Sequence, residues 1–478
     1  MTLAIILYFL LAFVLMGKLL LYGVRPTKTL AWLLAIFTVP VGGMLFYFIL
    51  GRNRKKNKFY KLKKTKEISQ YYDKVDSYYS SLNNDEDNQL PNAIKKHIRL
   101  VKLITKGSKF LPSDGNELTP LRNGSATFDA IFKAIESAKK FIHIQYYIFE
   151  EGDLAEKFRS ILKRKSDEGI EVRFLYDSLG SHTLSNRYLN SLKASGIQVY
   201  SFLPMRLHRL LSSINYRNHR KIIIVDGIVG FTGGINVSDK YIKGDSILGT
   251  WYDMHLQLKG DVVNSLEAVF AMDWSFASGT ENLLNSQYFY KHHAPGNTVA
   301  QIVASGPDSN FSSIHQLYFS IINSAKKYVY ITNPYIIPGE VLMEALQVAA
   351  MSGVDVRLLL STNSDSLLVK WNVRSHFESL LESGVKIYLY PDGFLHSKVI
   401  ISDDALTSIG TANLDIRSFE QNYEVNALIY DNKISTDLKE EFLMYCEKSS
   451  QVNYELFRNR SKVERLKEGL AKVFSPIL

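Results

Sequence analysis

Two stretches of the sequence carry the same set of chemically active side chains at the same spacing. Each has a histidine, a lysine two positions later, an aspartate five positions after the lysine and an asparagine 17 positions after the histidine. The two sets are His219, Lys221, Asp226 and Asn236, and His396, Lys398, Asp403 and Asn413. One histidine–lysine pair is weak evidence, whereas a complete set repeated at matched spacing indicates one shared site.

Histidine, lysine and asparagine side chains together favour chemistry on phosphodiesters. Positive charge and N–H donors stabilise the negative charge that spreads over a phosphoryl group in its transition state. One neutral imidazole can attack phosphorus, while a second, protonated imidazole donates to the leaving alkoxide and later deprotonates the incoming hydroxyl. The residues alone leave open which histidine plays which part. No acidic cluster accompanies the motifs, so the sequence predicts a reaction that needs neither a metal ion nor another cofactor.

Short apolar runs follow each histidine–lysine pair and predict β-strands. Alternate residues of a strand face the same side, so the histidine and lysine of each set are expected to project together. Asp226 and Asp403 have the opposite parity and stand at turns, where we expect them to anchor the structure. Asn236 and Asn413 follow strands that return from these turns and should bring an amide near the histidines.

The elements that position these motifs also recur along the chain. Residues 137–142 (SAKKFI) recur as 324–329 (SAKKYV), and residues 169–175 (GIEVRFL) recur as 353–359 (GVDVRLL). Helical stretches alternate with short β-branched runs that begin after a glycine, which is typical of an α/β unit. The sequence therefore predicts two similar α/β halves with pseudo-two-fold symmetry, whose motifs meet around one centre.

Composition and charge point to a membrane surface. Residues 2–22 and 29–50 are apolar, and each is about as long as the 20 residues that cross a bilayer as a helix. The formal net charge is +10, and nine basic residues between 52 and 66 account for nearly all of it. This distribution favours anionic lipid over nucleic acid as a partner. By the positive-inside rule, it also places the basic run and the catalytic region in the cytoplasm.

The paired motifs resemble the HKD motifs of the phospholipase D superfamily, whose members build one active site from two copies. The segments RPTKTLAWLL (25–34) and QYYIF (145–149) are similar to bacterial cardiolipin synthases. This resemblance implies phosphatidyl transfer between two phosphatidylglycerol molecules, giving cardiolipin and glycerol. It also implies that His219 is the nucleophile and His396 the acid and base. A carboxylate downstream of each motif, Asp253 and Glu424, is expected to orient the histidine of that motif.

The expected architecture has five parts in a multi-pass protein of the bacterial cell membrane. These are two transmembrane helices (1–52), a basic juxtamembrane segment and linker (53–115), two phospholipase D-like repeats (116–295 and 296–450) and an amphipathic tail (451–478). The single cysteine, Cys446, excludes an internal disulfide and is expected to be a buried structural thiol.

Several alternatives stay open at this point. A phospholipase D-type hydrolase would use water as the acceptor, and another synthase would use a different phospholipid, such as phosphatidylethanolamine. An inactive membrane scaffold on the same fold is the alternative outside enzymes. The oligomeric state is open as well. The basic and apolar segments 203–217 and 463–474 could either contact the bilayer or pack on the core.

Overall fold

A computed structural model describes residues 2–22, 26–39, 41–47, 66–82, 90–204, 216–279 and 283–475. These residues belong to two compact units, one with the N-terminal helices and the other with everything described from residue 66 onward. The predicted basic run between 52 and 66 lies outside the described residues except for Lys66. Most of the segment 203–217 also lies outside them.

The first unit contains three helices. The first coincides with the predicted apolar span 2–22, but the span 29–50 is not one continuous helix. The sequence between its two helices, VPV at 39–41, contains a proline, and two glycines follow it at 42 and 43; both residue types disfavour the interior of one long helix. Within the described residues, no helix combines the length and the apolar composition needed to cross a membrane. The helices are α1 (Thr2–Tyr22), α2 (Pro26–Thr38) and α3 (Gly42–Phe46).

The second unit contains the strands and the remaining described helices. Its strands are β1 (Pro112–Arg122), β2 (Phe141–Tyr146), β3 (Glu171–Asp177), β4 (Gln198–Phe202), β5 (Arg217–Asn218), β6 (Ile222–Val225), β7 (Val229–Gly233), β8 (Trp251–Tyr252), β9 (Met254–Lys259), β10 (Thr298–Ser305), β11 (Tyr328–Thr332), β12 (Ile336–Ile337), β13 (Asp355–Ser361), β14 (Lys386–Tyr390), β15 (Phe394–Leu395), β16 (Val399–Ser402), β17 (Leu406–Gly410), β18 (Leu414–Asp415), β19 (Asn422–Tyr430) and β20 (Ser450–Gln451). Its helices are α4 (Lys66–Ser81), α5 (Asn92–Lys96), α6 (Ile98–Ser108), α7 (Asn123–Glu136), α8 (Asp153–Asp167), α9 (Asn186–Ala194), α10 (Lys240–Lys243), α11 (Val262–Ser278), α12 (Ser313–Ser324), α13 (Gly339–Met351), α14 (Leu367–Arg374), α15 (Phe377–Glu382), α16 (Ile416–Glu420), α17 (Asn432–Glu447), α18 (Tyr454–Arg458) and α19 (Lys462–Val473).

One large sheet shows the internal repeat directly. The strand order β4-β3-β2-β6-β7-β9 of the first half matches β14-β13-β11-β16-β17-β19 of the second. In both halves the first three strands are parallel and the next are antiparallel. β1 and β10 pair antiparallel at the centre and join the halves. The predicted mixed α/β fold with two related repeats is therefore confirmed.

Each half has its own apolar core. The strands that carry the motifs are apolar runs that are buried on both faces, as expected where helices cover a sheet. The core of the second half also receives Leu100, Val101 and Ile104 from α6. These residues show the three- and four-residue spacing of one helix face, so α6, which lies within the predicted linker 53–115, packs on the second half.

Candidate active site

Each histidine–lysine pair lies in the gap between two strands. His219 and Lys221 follow β5 and precede β6, while His396 and Lys398 follow β15 and precede β16. The expectation that these residues alternate along one strand was therefore wrong. Instead, the buried Lys221 Nζ donates a hydrogen bond of 2.8 Å to the carbonyl oxygen of His219, and Lys398 Nζ donates to that of His396. Each lysine thus fixes the backbone that presents its histidine.

Two short parallel strand pairs connect the halves beside the motifs. β5 of the first half pairs with β19 of the second, and β15 of the second half pairs with β8 of the first. At their ends, the His219 amide donates to the Tyr423 carbonyl at 2.9 Å, and the His396 amide donates to the Tyr252 carbonyl at 2.7 Å. Each histidine is thereby held against the strand segment that carries the carboxylate of the opposite half.

The carboxylates contact the histidines crosswise. His219 Nδ1 lies 3.0 Å from Glu424 Oε2, and His396 Nδ1 lies 2.6 Å from Asp253 Oδ2. The expectation that each carboxylate orients the histidine of its own motif was wrong. When Nδ1–H donates to a carboxylate, the lone pair of the neutral ring is on Nε2. This tautomer is the one that a nucleophilic Nε2 requires.

The two carboxylates are accommodated differently. Glu424 accepts hydrogen bonds from Thr411 Oγ1 at 2.5 Å and from Asn422 Nδ2 at 3.2 Å. Gly234 stands at the position of the first half that matches Thr411. A Cβ on Gly234 would lie 2.1 Å from Asp253 Oδ1. The glycine is thus required by the position of the aspartate, whereas the glutamate leaves room for a threonine that hydrogen-bonds to it.

Asp226 and Asp403 lie at the turns after β6 and β16 and have the contacts of structural anchors. Both adopt left-handed backbone conformations, with φ of 54° and 53°. Each carboxylate accepts backbone N–H bonds of 2.7 to 3.0 Å from three consecutive residues. The donors are Lys139, Lys140 and Phe141 in the first half, and Lys326, Lys327 and Tyr328 in the second. The repeated SAKK sequence is therefore the backbone that receives the aspartate.

A buried polar network supports the first motif. Arg220 Nη1 lies 2.7 Å and 2.8 Å from the two Asp273 carboxylate oxygens. Gln145, from the QYYIF segment, donates to Asp273 at 2.7 Å and to Asn218 at 2.9 Å. The second motif has the short Ser397 at the position of Arg220. The two halves are therefore similar in fold, but the side chain between the histidine and the lysine of each motif differs in size and charge.

A cavity of about 370 Å³ lies where the two motifs meet. Both histidines and both asparagines, Asn236 and Asn413, line it, as the sequence predicted. Asn236 Oδ1 accepts from the Ile148 amide at 3.2 Å, and its Nδ2 donates to Tyr241 Oη at 3.3 Å. In the described part of the chain, Asn413 Oδ1 has no hydrogen-bond partner. The Asn413 amide is thus the less constrained of the two.

Aromatic rings complete the wall beside the histidines. The Tyr147 ring centroid lies 4.8 Å from that of His219, and the Trp251 ring centroid lies 5.3 Å from that of His396. Tyr241 Oη lies 3.3 Å from His396 Nδ1. These three residues were not predicted, since they have no matched counterpart in the other repeat. The available signal was that Tyr147 lies within the QYYIF segment and that Trp251 stands two positions before Asp253.

Burial sets the protonation states of the free site. It is the main cause that lowers the pKa of His219 to about 4, where the attraction of Glu424 opposes it. Burial and then Lys398 hold the pKa of His396 well below its ordinary value. Burial also lowers the pKa of Lys221 to about 7 and that of Lys398 to about 8. Both imidazoles are therefore neutral near pH 7.

Other chemistry has little support in the described residues. No three histidine, cysteine or carboxylate side chains cluster there in a way that could hold a metal ion. Cys446 is buried, and this burial raises the pKa of its thiol to about 12. The thiol is thus protonated near neutral pH, which fits a structural role.

The fold and the site define a phospholipase D-like enzyme, in which two α/β repeats each give one HKD motif to a single cavity. A family model described as "Cardiolipin synthase, PLD-like domain" matches residues 131–274 and 318–445, and one described as "Phospholipase_D-nuclease N-terminal" matches residues 4–52. The chain belongs to this family of PLD-like cardiolipin synthases.

Individual relatives agree with this assignment. The chain is 40% identical to a cardiolipin synthase of Alkalihalophilus pseudofirmus and 39% identical to one of Halalkalibacterium halodurans. Each match covers 95% of this chain and 90% of the relative. The crystal structure of a phosphatidylserine synthase from Haemophilus influenzae Rd KW20 matches with a TM-score of 0.58 at 16% identity, over 80% of this chain and all of that one. This last likeness concerns the fold alone.

Proposed function

We propose that this enzyme is a cardiolipin synthase, which transfers a phosphatidyl group from one phosphatidylglycerol to a free hydroxyl of another. The observation that carries the proposal is the pair of histidines in one cavity, each bonded through Nδ1 to a carboxylate of the opposite half. The relatives named cardiolipin synthase support a lipid hydroxyl, rather than water, as the acceptor.

In the first half-reaction, Nε2 of neutral His219 attacks the phosphorus of the donor lipid. A P–N bond forms as the P–O bond to the glycerol headgroup breaks. Protonated His396 gives its proton to the leaving glycerol oxygen, so that free glycerol departs. The phosphohistidine ring carries a positive charge, which Glu424 stabilises through Nδ1–H.

In the second half-reaction, His396 acts as the base. It removes the proton from a hydroxyl of the second phosphatidylglycerol, and that oxygen attacks the same phosphorus. The P–N bond breaks, its electron pair returns to Nε2 of His219, and cardiolipin is formed. His396 is then protonated again and ready for the next donor.

Substrate binding can supply the acid form of His396. In the free site, burial and the neighbouring charges of Lys398 and Lys221 keep this ring neutral. A phosphodiester anion offsets those positive charges and raises the pKa of the imidazole. Protonation of His396 is thus coupled to the arrival of the lipid phosphate. No metal ion or cofactor takes part in this scheme.

We also propose that residues 1–52 hold the enzyme in the bacterial cell membrane as two spans, with the catalytic unit in the cytoplasm. The family model matches residues 4–52, and the second predicted span, 29–50, continues beyond the described residues. Large apolar side chains of α1 are exposed, which suits a lipid surrounding. These side chains are Phe9, Leu10, Phe13, Leu20 and Leu21.

The test is to incubate the detergent-purified enzyme with labelled phosphatidylglycerol, separate the lipids by thin-layer chromatography and assay free glycerol. Cardiolipin with an equal amount of glycerol supports the proposal, and His219→Ala and His396→Ala should each abolish it. Phosphatidic acid as the product would instead identify a hydrolase. Turnover only after phosphatidylethanolamine is added would indicate another co-substrate, and no turnover with any lipid would favour a scaffold.

A further inference from the structure

Helix α19 presents its apolar side chains to solvent. Val463, Leu466, Leu470 and Val473 are 60 to 73% exposed, and Phe474 follows the helix at 44%. Their spacing places them on one stripe of the helix surface. A helix that packs on a soluble domain normally turns such a stripe toward the core, so this orientation is reversed.

The opposite, polar face of α19 is the one that packs on the protein. Glu468 and Ala471 are each 2% exposed. Glu468 bonds Arg460 Nε at 2.8 Å and Arg374 Nε at 3.2 Å, while Asn372 Nδ2 donates to the Ala471 carbonyl at 2.9 Å. These ion pairs and hydrogen bonds with the buried Glu468 and Ala471 fix the rotation of α19 about its axis. The exposure of the apolar stripe is therefore a consequence of specific contacts.

The charges of α19 divide between the same two sides. Both of its acidic residues, Glu464 and Glu468, form ion pairs with arginines of the protein. Its basic residues lie exposed around the apolar stripe, and they are Lys462, Arg465, Lys467 and Lys472. An apolar stripe with a cationic border matches a bilayer that carries anionic headgroups.

Helix α19 also packs on a helix that reaches the active site. α19 packs along α14, and Ser366 and Val369, at the start of α14, line the catalytic cavity. Leu367, between them, is 75% exposed. A surface that contacts α19 and the start of α14 therefore reaches the cavity that holds the histidines.

We propose that α19 and the exposed start of α14 form a docking surface for anionic phospholipid, which lays the bilayer against the entrance of the active site. The link to catalysis rests on the proposed function, whereas the membrane contact does not. A second copy of the chain fits less well, because a symmetric contact would bring two cationic borders together. This surface would let a lipid reach the histidines without leaving the membrane.

The contact can be measured with a site-specific probe on the full-length enzyme in lipid nanodiscs. The Cys446→Ser chain receives either Leu470→Cys or, as a control at an exposed position of α8, Ser160→Cys, each labelled with an environment-sensitive dye. With phosphatidylglycerol in the disc, the dye at 470 should shift to the blue and be quenched by brominated lipid, while the dye at 160 should not. An aqueous signal at 470 in every lipid would overturn the proposal. So would a shift that needs high protein concentration in detergent without lipid, since that indicates self-association.

Kinetics separate docking from folding and from chemistry. Leu466→Asp with Leu470→Asp should lower kcat/KM on phosphatidylglycerol vesicles by about tenfold or more, because charged groups are excluded from the acyl region. Activity on dispersed short-chain phosphatidylglycerol should stay within about twofold. Met351→Asp is the matched control. Met351 is 68% exposed and lies just before the first residue of β13, whereas the cavity lies toward the last residue of that strand. An equal loss on both substrates would contradict docking, while absence of any turnover would concern the proposed function and leave the probe result intact.

Discussion

Replacing Glu424 with glutamine should disable His219, the histidine of the other half, and leave His396 working. Glu424 Oε2 is 3.0 Å from His219 Nδ1, whereas His396 is bonded by Asp253. An amide in place of a carboxylate behind a catalytic imidazole favours the wrong tautomer and lowers kcat by about 10⁴-fold, as in serine proteases. That loss corresponds to about 5.4 kcal/mol of transition-state stabilisation at 1.36 kcal/mol per factor of ten. Asp253→Asn should impose a similar loss through His396.

A phosphodiester with a p-nitrophenol leaving group separates the two roles. This alcohol departs without being protonated, so formation of the phosphohistidine needs the nucleophile but not the acid. In rapid mixing, Asp253→Asn and His396→Ala should keep a burst of p-nitrophenol and lose turnover. Glu424→Gln and His219→Ala should lose the burst as well.

The grouping of the variants is the decisive result. If His396 were the nucleophile, the burst would vanish in His396→Ala and Asp253→Asn together, and the crosswise contacts would still hold. Loss of the burst in Asp253→Asn and His219→Ala, with the burst kept in Glu424→Gln, would refute the reasoning, because each carboxylate would then act on the histidine of its own repeat. Circular dichroism of each variant checks that the fold is intact.

Three further perturbations test other contacts of the site. With the p-nitrophenyl substrate at low concentration, where the rate of the burst reports the free enzyme, this rate should not weaken as the pH falls to about 5, because the pKa of His219 is about 4. It should weaken as the pH rises through the pKa values of Lys221 and Lys398, about 7 and about 8, where their positive charge is lost, and a loss of the burst as the pH falls through about 6.5 would contradict the assignment. Asp226→Asn should cost about 2 to 4 kcal/mol of stability in denaturant unfolding, since it weakens charge-assisted bonds to three backbone amides, and a stable but inactive variant would contradict the anchor role. Gly234→Ala should reduce steady-state turnover by about 100-fold or more by displacing Asp253, whereas Thr411→Ala should cost about tenfold or less by removing one hydrogen bond to Glu424; equal effects would argue against this difference between the halves.

Local sequence was enough to predict the repeat and most of the site. Apolar runs such as 222–225 and 399–402 form the expected strands, and the turn positions of Asp226 and Asp403 pointed to anchors. The matched spacing also predicted that both histidines and both asparagines would meet in one place. These features depend on short-range patterns of the sequence, and each pattern occurs once in each repeat.

Long-range pairing was not predictable in the same way. Glu424 is 205 positions from His219, and two symmetric repeats allow a crosswise or a within-repeat contact with equal ease. The choice follows from the pairing of β5 with β19 and of β15 with β8. Similarly, the pattern of α19 located an apolar stripe but not the side it faces, which the ion pairs of Glu468 with Arg374 and Arg460 determine.

The crosswise contacts make the chemistry conditional on the docking of the two halves. A half by itself would present a histidine with no carboxylate on Nδ1, free to rotate and to exchange tautomers. It would also lack the burial that keeps the imidazole neutral, because each motif contributes one side of the shared cavity. The same short strand pairs that bring His219 to Glu424 bring His396 to Asp253, so the nucleophile and the acid become competent together. A phosphohistidine is therefore formed only in a site that already contains the base needed to resolve it.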